Sequence, residues 1–174
     1  MSDWPYKPLL PPPVLSPSCL FGPAGGAQTN AQSSAVWPSA NQALYVPFWT
    51  PVPLVIARIL VLNGAAVSGN LDVGIYDQDG TRLVSSGSTA QAGVSDVQEI
   101  DITDTLVGPG RFYAALALDN TTGTNLFFGS NSANQVRLLG VLLQASAFPL
   151  PAVATFATSN ARAPSISLSI RTVN

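Results

Sequence analysis

GNLDVGIYDQDGTRLVSSG, residues 69–87, decides the fold, because strand, turn and strand follow one another within it. Leu71, Val73 and Ile75 alternate with Asp72, Gly74 and Tyr76, the period of two that marks a strand with one buried face. Asp77-Gln78-Asp79-Gly80 then supplies two side chains that tolerate tight turns and a glycine free to take positive φ. Beyond the turn, Thr81, Leu83 and Ser85 alternate with Arg82, Val84 and Ser86, so the segment predicts a β-hairpin.

The same grammar of short alternating runs between Gly, Asn and Pro clusters extends outward from the hairpin. It predicts strands at 43–48, 54–62, 70–76, 81–86, 97–103, 111–118, 136–143 and 165–171, with a further short one at 126–128. No window carries a capped helical period. About eight strands without helices predict an all-β, two-sheet antiparallel sandwich; strand number points to a jelly roll, although immunoglobulin-like sandwiches have similar counts. The last strand is half-buried, with Ile166, Leu168 and Ile170 opposite Ser165, Ser167, Ser169 and Arg171. By contrast, 54–62 and 136–143 are apolar on both faces, which in a two-layer sandwich predicts a second cover, from the N-terminal segment or from another subunit.

Residues 1–53 hold eleven of the 15 prolines but only Asp3 and Lys7 among charged residues. Proline fixes φ and removes a backbone donor, so YKPLLPPPVLSP reads as extended chain that cannot be an interior strand. Its apolar residues are too many for a solvated linker. The expected organisation is therefore an anchoring arm and spacer at 1–42, with 22–35 as the flexible part, and a sandwich domain at 43–174. Trp4, Tyr6, Leu9, Leu10, Val14 and Leu15 are the candidate partner-binding residues: they lie among prolines that already restrict the chain, which lowers the entropy lost on docking.

Composition narrows the chemistry. Apolar residues make up 47% of the 174 and charged residues 9%, far below the roughly 25% usual for soluble domains. Such a surface must be polar and uncharged, or covered by partners. A net charge of -2 offers no electrostatic footprint for nucleic acid, and no apolar run reaches the ~20 residues that span a bilayer, so neither partner is expected. The N-terminus lacks the basic start of a secretion signal, which predicts synthesis in the cytoplasm.

With no histidine, the Ser-His and Cys-His catalytic arrangements and histidine-bound zinc are excluded. Cys19 is alone, and Lys7 is the only lysine. GPGR at 108–111 reads as a turn before a strand. Two carboxylate pairs remain, Asp77 with Asp79 and Glu99 with Asp101; the first reads as turn chemistry and the second as the solvent face of a strand. Calcium at Asp77 and Asp79 would lack further ligands. No cofactor, metal or catalytic centre is expected. Trp4, Trp37 and Trp49, the possible sugar platforms, all precede the hairpin.

DVGIYDQDGTRLVSSGSTAQAG at 72–93 and PGRFYAALALDNTTGT at 109–124 resemble the β-sandwich virion proteins of tailed bacteriophages. In those, a GIYD-type hairpin and a later DNTTGT strand and loop recur in capsid-associated and fibre-associated domains. The likeness covers about 43–130 and not the arm. It implies a multi-copy, non-enzymatic structural subunit located on the virion, of the capsid decoration or head-fibre type. Its arm would be held by the major capsid protein or neighbouring subunits, and the homo-oligomer, a trimer, rests on the resemblance. The alternative is a tail-fibre module that binds a receptor or glycan, which predicts an exposed aromatic cluster at one end of the sandwich. A polysaccharide-degrading enzyme would instead need two carboxylates facing each other across a cleft.

Overall fold

The computed structural model describes residues 14–15, 33–128, 133–159 and 162–171. In chain order the elements are β1 (Val14–Leu15), β2 (Ser33–Val36), β3 (Gln42–Thr50), β4 (Leu54–Leu62), β5 (Asn70–Asp77), β6 (Arg82–Ser85) and β7 (Thr89–Ala90). There follow β8 (Val97–Val107), β9 (Gly110–Leu118), β10 (Thr124–Phe127), α1 (Ala133–Leu138), β11 (Leu142–Gln144), β12 (Ala157–Thr158) and β13 (Ile166–Arg171). They form a small sheet, β1-β13-β4-β8, a large sheet, β12-β11-β3-β9-β5-β6 with β7 beside β5, and the pair β10-β2. All pairings are antiparallel.

The predicted hairpin is present. Leu71, Val73 and Ile75 of β5 are fully buried between the sheets. They meet Leu44, Val46 and Phe48 of β3, Ile56, Ile59 and Val61 of β4, and the inward residues of β9 and β13 in one core. In the turn Asp77 Oδ1 accepts from the N–H groups of Asp79 at 3.0 Å and Thr81 at 2.7 Å, and Gly80 takes a φ of 88°. A bulge between Ile75 and Tyr76 in the β5–β6 register then re-aims β6. Val84 packs on the core, while Arg82 and Ser85 both reach the outer side.

The outer face of the large sheet is where a second cover lies. Ala43 and Tyr45 of β3, Tyr76 of β5, and Tyr113, Ala115 and Ala117 of β9 form a second core with Ala147, Leu150, Phe148 and Phe156. Small residues at 115 and 117 let a segment of chain approach the sheet closely. Fully buried Asp72 secures it by accepting from Leu150 N at 2.9 Å and from the Ser85 and Ser86 hydroxyls at 2.8 and 3.2 Å. A cover was expected over 54–62 and 136–143, from the arm or another subunit; the cover present lies instead over β3, β5 and β9 and comes from residues 145–156 of the same domain.

The predicted strand at 136–143 is corrected to the helix α1, a turn and the short strand β11. The reason is local. Gly140, with φ of 71°, ends the helix: its N–H reaches Arg137 O at 3.0 Å and Val141 N–H reaches Val136 O at 3.3 Å. That paired arrangement is a Schellman cap, and Val136 and Val141 make the apolar contact that accompanies it. Apolar residues on both strand faces were therefore an artefact of reading a helix end with a period of two; Leu138 is 88% exposed. The strand at 54–62 does form, with Val55, Leu60 and Leu62 half-buried on its outer side.

Among the described strands, β3 lies between β9 and β11 in the large sheet, and β13 lies between β1 and β4 in the small one. The all-β, antiparallel class is as expected. The packed domain also begins earlier than 43, because β2 pairs with β10 and Trp37 is buried, donating from Nε1 to Gln42 O at 2.8 Å.

The second core carries a measurable signature. Burial pushes the Tyr45 hydroxyl from 10.0 up to about 12, and burial raises Tyr76 as well. Above pH 10 the unfolded chain sheds phenolic protons that the native fold retains, so stability is intact below pH 10 and falls as pH climbs toward 12. A single lysine leaves this window to the tyrosines. Urea midpoints should decline through it, and Tyr45→Phe should make the decline shallower; a flat profile in the wild type would contradict the second core.

Candidate functional site

Of the six candidate partner-binding residues, Trp4, Tyr6, Leu9 and Leu10 lie outside the described residues. Val14 and Leu15 form β1, in antiparallel register with β13: Val14 opposite Ser169 and Leu15 opposite Leu168. The arm thus meets the domain at the edge of the small sheet, through backbone pairing. Prolines at 13 and 17 bracket the pair, and neither has an N–H for a ladder.

A second feature, not singled out in sequence, is a cleft of about 340 Å³ at the far end of β3 and β9, lined by Pro47, Trp49, Arg111, Leu138, Leu139 and Gly140. It forms because Trp49 and Arg111 are cross-strand partners on the outer face, beyond the reach of the 145–156 cover. The indole is 44% exposed. The Arg111 guanidinium sits 5.2 Å from the centroid of the Tyr113 ring, a cation–π contact. The cleft offers an apolar floor and one cation, and no carboxylate or amide side chain lines it. Trp49 was one of the three tryptophans considered as a platform. Trp37 is in the core, its ring 5.8 Å from that of Phe127, and Trp4 lies outside the described residues. Leu138 and Leu139 were hidden from sequence reading by the mistaken strand.

The carboxylate pairs have structural employment. Glu99 and Asp101 on β8 clasp Arg58 of β4 across the small sheet at 3.2 and 2.6 Å, and the hydrogen bond to Asp101 leads the effects that hold the guanidinium more firmly protonated. They share one face but open onto the sheet surface, not across a cleft. Asp77 serves the hairpin turn with Oδ1, as the turn reading expected. Among the described residues there is no cluster of three or more acidic, cysteine or histidine side chains placed to hold a metal ion.

The DNTTGT stretch is a clamp. Asp119 accepts from Asn70 N and Asn70 Nδ2 at 3.0 and 3.1 Å, and from Asn120 Nδ2. Asn120 Oδ1 in turn accepts from the N–H groups of Thr122 and Gly123, both at 2.8 Å. Gly69, with φ of 67°, has no room for a side chain: a Cβ would sit 2.1 Å from Asn120 Nδ2. Beside this clamp, Gln91 Nε2 donates to Asn63 Oδ1 and to Thr124 O, both at 3.0 Å, in a buried amide cluster at the same end. The residues that carry the family resemblance thus hold loops together.

The chain matches no protein-family model, no curated protein and no solved structure.

The clamp yields a test. Burial pushes the Asp119 carboxyl up, but the hydrogen bonds from Asn120 and Asn70 outweigh it and leave the group below 3.8. Its contribution is therefore present above pH 3.8 and lost as pH falls through the folded value. Asp119→Ala should lower stability by about 1–2 kcal/mol at neutral pH, the lower part of the range for hydrogen bonds to a charged group because the site is half-exposed. In acid, the unfolding free energies of variant and wild type should converge.

Proposed function

We propose that this chain is a non-enzymatic structural subunit of a bacteriophage particle, of the capsid decoration or head-fibre type, anchored through residues 1–42. One observation supports the reading most: part of the arm is already engaged, as β1, on a sheet edge of its own domain, as befits a segment that binds by backbone pairing. The near-absence of charge supports the same reading, since a permanently covered surface has no need of it. The homo-oligomer belongs to this proposal. On the outer face of the small sheet Val55 pairs with Leu106 and Leu62 with Val97, on either side of the Arg58 clasp. Leu106 is 66% exposed, so a neighbouring copy has apolar surface to cover. Three copies are expected from the resemblance alone.

The test is cosedimentation with particles lacking the native copy. Deleting residues 1–21 should leave the sandwich folded, because the core starts at Trp37, and should abolish attachment. Trp4→Ala should weaken attachment by at most about 2–4 kcal/mol, the range of one aromatic anchor, with little dependence on salt. Undiminished binding by the truncated protein would place attachment on the sandwich.

A second reading, a receptor- or glycan-binding module, is favoured by the Trp49 cleft, where an exposed indole stands beside a guanidinium. If that reading holds, Trp49→Ala should weaken binding to isolated host-surface glycan at least about tenfold, the loss of a modest hot spot. Equal binding by both proteins, or none by either, would leave the cleft without this role.

A further inference from the structure

We infer that the edge of β13 on which β1 lies is a strand-acceptor site through which copies of this chain join, with Val14–Leu15 of one copy paired to β13 of the next. The inference does not rest on the virion reading, because it concerns only how copies of the chain meet.

The two edges of the small sheet are built differently. β8, at one edge, carries Glu99, Asp101 and Asp104, and its register with β4 is broken by a bulge between Ile56 and Arg58. Charge is a usual device that keeps an edge from recruiting another strand. β13, which lies between β4 and the two-residue β1, reads ISLSIR and has no acidic residue; like β8 it has a register shift against β4, here between Ser169 and Ile170. Its Ile166, Leu168 and Ile170 are rooted in the core, so the backbone it presents is held rigidly. Just before it, Ser165 N donates to Leu126 O at 2.9 Å, which closes the edge at that end. What remains is a slot six residues long, of which β1 engages two.

Val14 and Leu15 fit this slot as an incoming strand does. They are extended and apolar, and the prolines at 13 and 17 confine the pairing to a short register. Backbone pairing of this kind is indifferent to which copy supplies the strand. Residues 16–32 separate β1 from β2, and 17 residues of chain span at most roughly 55–60 Å. A domain of this size has a radius of gyration of roughly 14 Å, so the arm has the reach to serve a neighbour. Handing the arm from each copy to the next is a head-to-tail contact in which every inner copy both gives and receives a strand; it makes a ring where the rotation between copies closes and an open chain of copies where it does not. The exposed Leu106 and Val97 on the same sheet supply further surface for the contact. Trp4, Tyr6, Leu9 and Leu10, which precede the paired residues, are then left to bind a different partner.

The test is a register-specific cross-link. In a Cys19→Ser background, Val14→Cys and Ser169→Cys place thiols at directly opposite positions, within the span of a disulfide. After mild oxidation of the purified protein, non-reducing electrophoresis should show covalent dimers and larger species, absent from either single-cysteine variant. A cross-link confined within single chains would overturn the exchange, and no cross-link would overturn the pairing. Should the cysteine variant fail to fold, sedimentation equilibrium of the wild type and of Val14→Pro/Leu15→Pro decides. The proline variant should be monomeric where the wild type is oligomeric; an unchanged oligomer, or a monomeric wild type, would overturn the proposal.

Discussion

The packing of residues 145–156 against the outer face of the large sheet is the constraint on which the rest of the domain depends. β3, β5 and β9 are buried on both sides, and a strand in that position has no solvent to satisfy what its side chains and its cover leave unpaired. The cover is accordingly tied at many points. Asp72 receives Leu150 N–H, the Tyr76 hydroxyl donates to Pro151 O at 2.6 Å, and the Arg82 guanidinium donates to Leu150 O. Arg82 N–H reaches Ala152 O at 2.9 Å, and Ala154 N–H reaches Gly80 O at 2.8 Å. Edge-on contacts of Tyr45 with Tyr76 and Phe156 fill the space between. Each tie uses a residue of the hairpin at 69–87 or its strand partners, so hairpin and cover specify one another. Loss of the cover would expose an apolar sheet face, not merely a loop.

This coupling explains which parts of the fold were legible. Alternation reported the inward face of β5 and β13, so Leu71, Val73 and Ile75, and Ile166, Leu168 and Ile170, are buried where their period places them; it did not report that the other face of β5, with Asp72 and Tyr76, is buried too. Continuous apolar runs carry no such phase. In 54–62 the run is a true strand, half-buried on its second face; in 136–143 it is the last part of a helix, a capping glycine and a short strand. Gly140 was the available signal, four residues after Val136 and one before Val141, where a Schellman cap requires it. The cover at 145–156 had no pattern to find. Its ties are mostly backbone groups, whose partners depend on tertiary position and not on residue type.

The candidate site was legible in outline only. Asp77 was recognisable as turn chemistry because Asx residues bond within a few positions of themselves, and Asn120 of the DNTTGT loop does the same in the structure. Arg111, Leu138 and Gly140 come together with Trp49 only after β9 pairs with β3 and the chain turns at α1, a convergence with no sequence spacing to announce it. The pairing of β1 with β13 joins positions more than 150 residues apart, and nothing in either segment names the other.

The two ends of β9 divide the domain into unlike halves, and this division weighs the two functional readings against each other. At the C-terminal end of β9, Asp119, Asn120, Asn63 and Gln91 bind one another and the loop backbone, so their polar groups are largely committed and present little to a ligand. At the N-terminal end, the Trp49 cleft is open, with Arg111 as its single charged group. A sugar is recognised by several hydrogen-bonding groups converging on its hydroxyls, with an aromatic ring as only part of the contact. One guanidinium, already stacked on Tyr113, is a sparse supply of such groups. An extended protein segment brings its own backbone donors and acceptors and needs mainly apolar contact and an edge to pair with, which the exposed Leu138 and Trp49 and the slot along β13 provide. On the chemistry of its surfaces, the proposed assembly reading is therefore better served than the sugar-binding one.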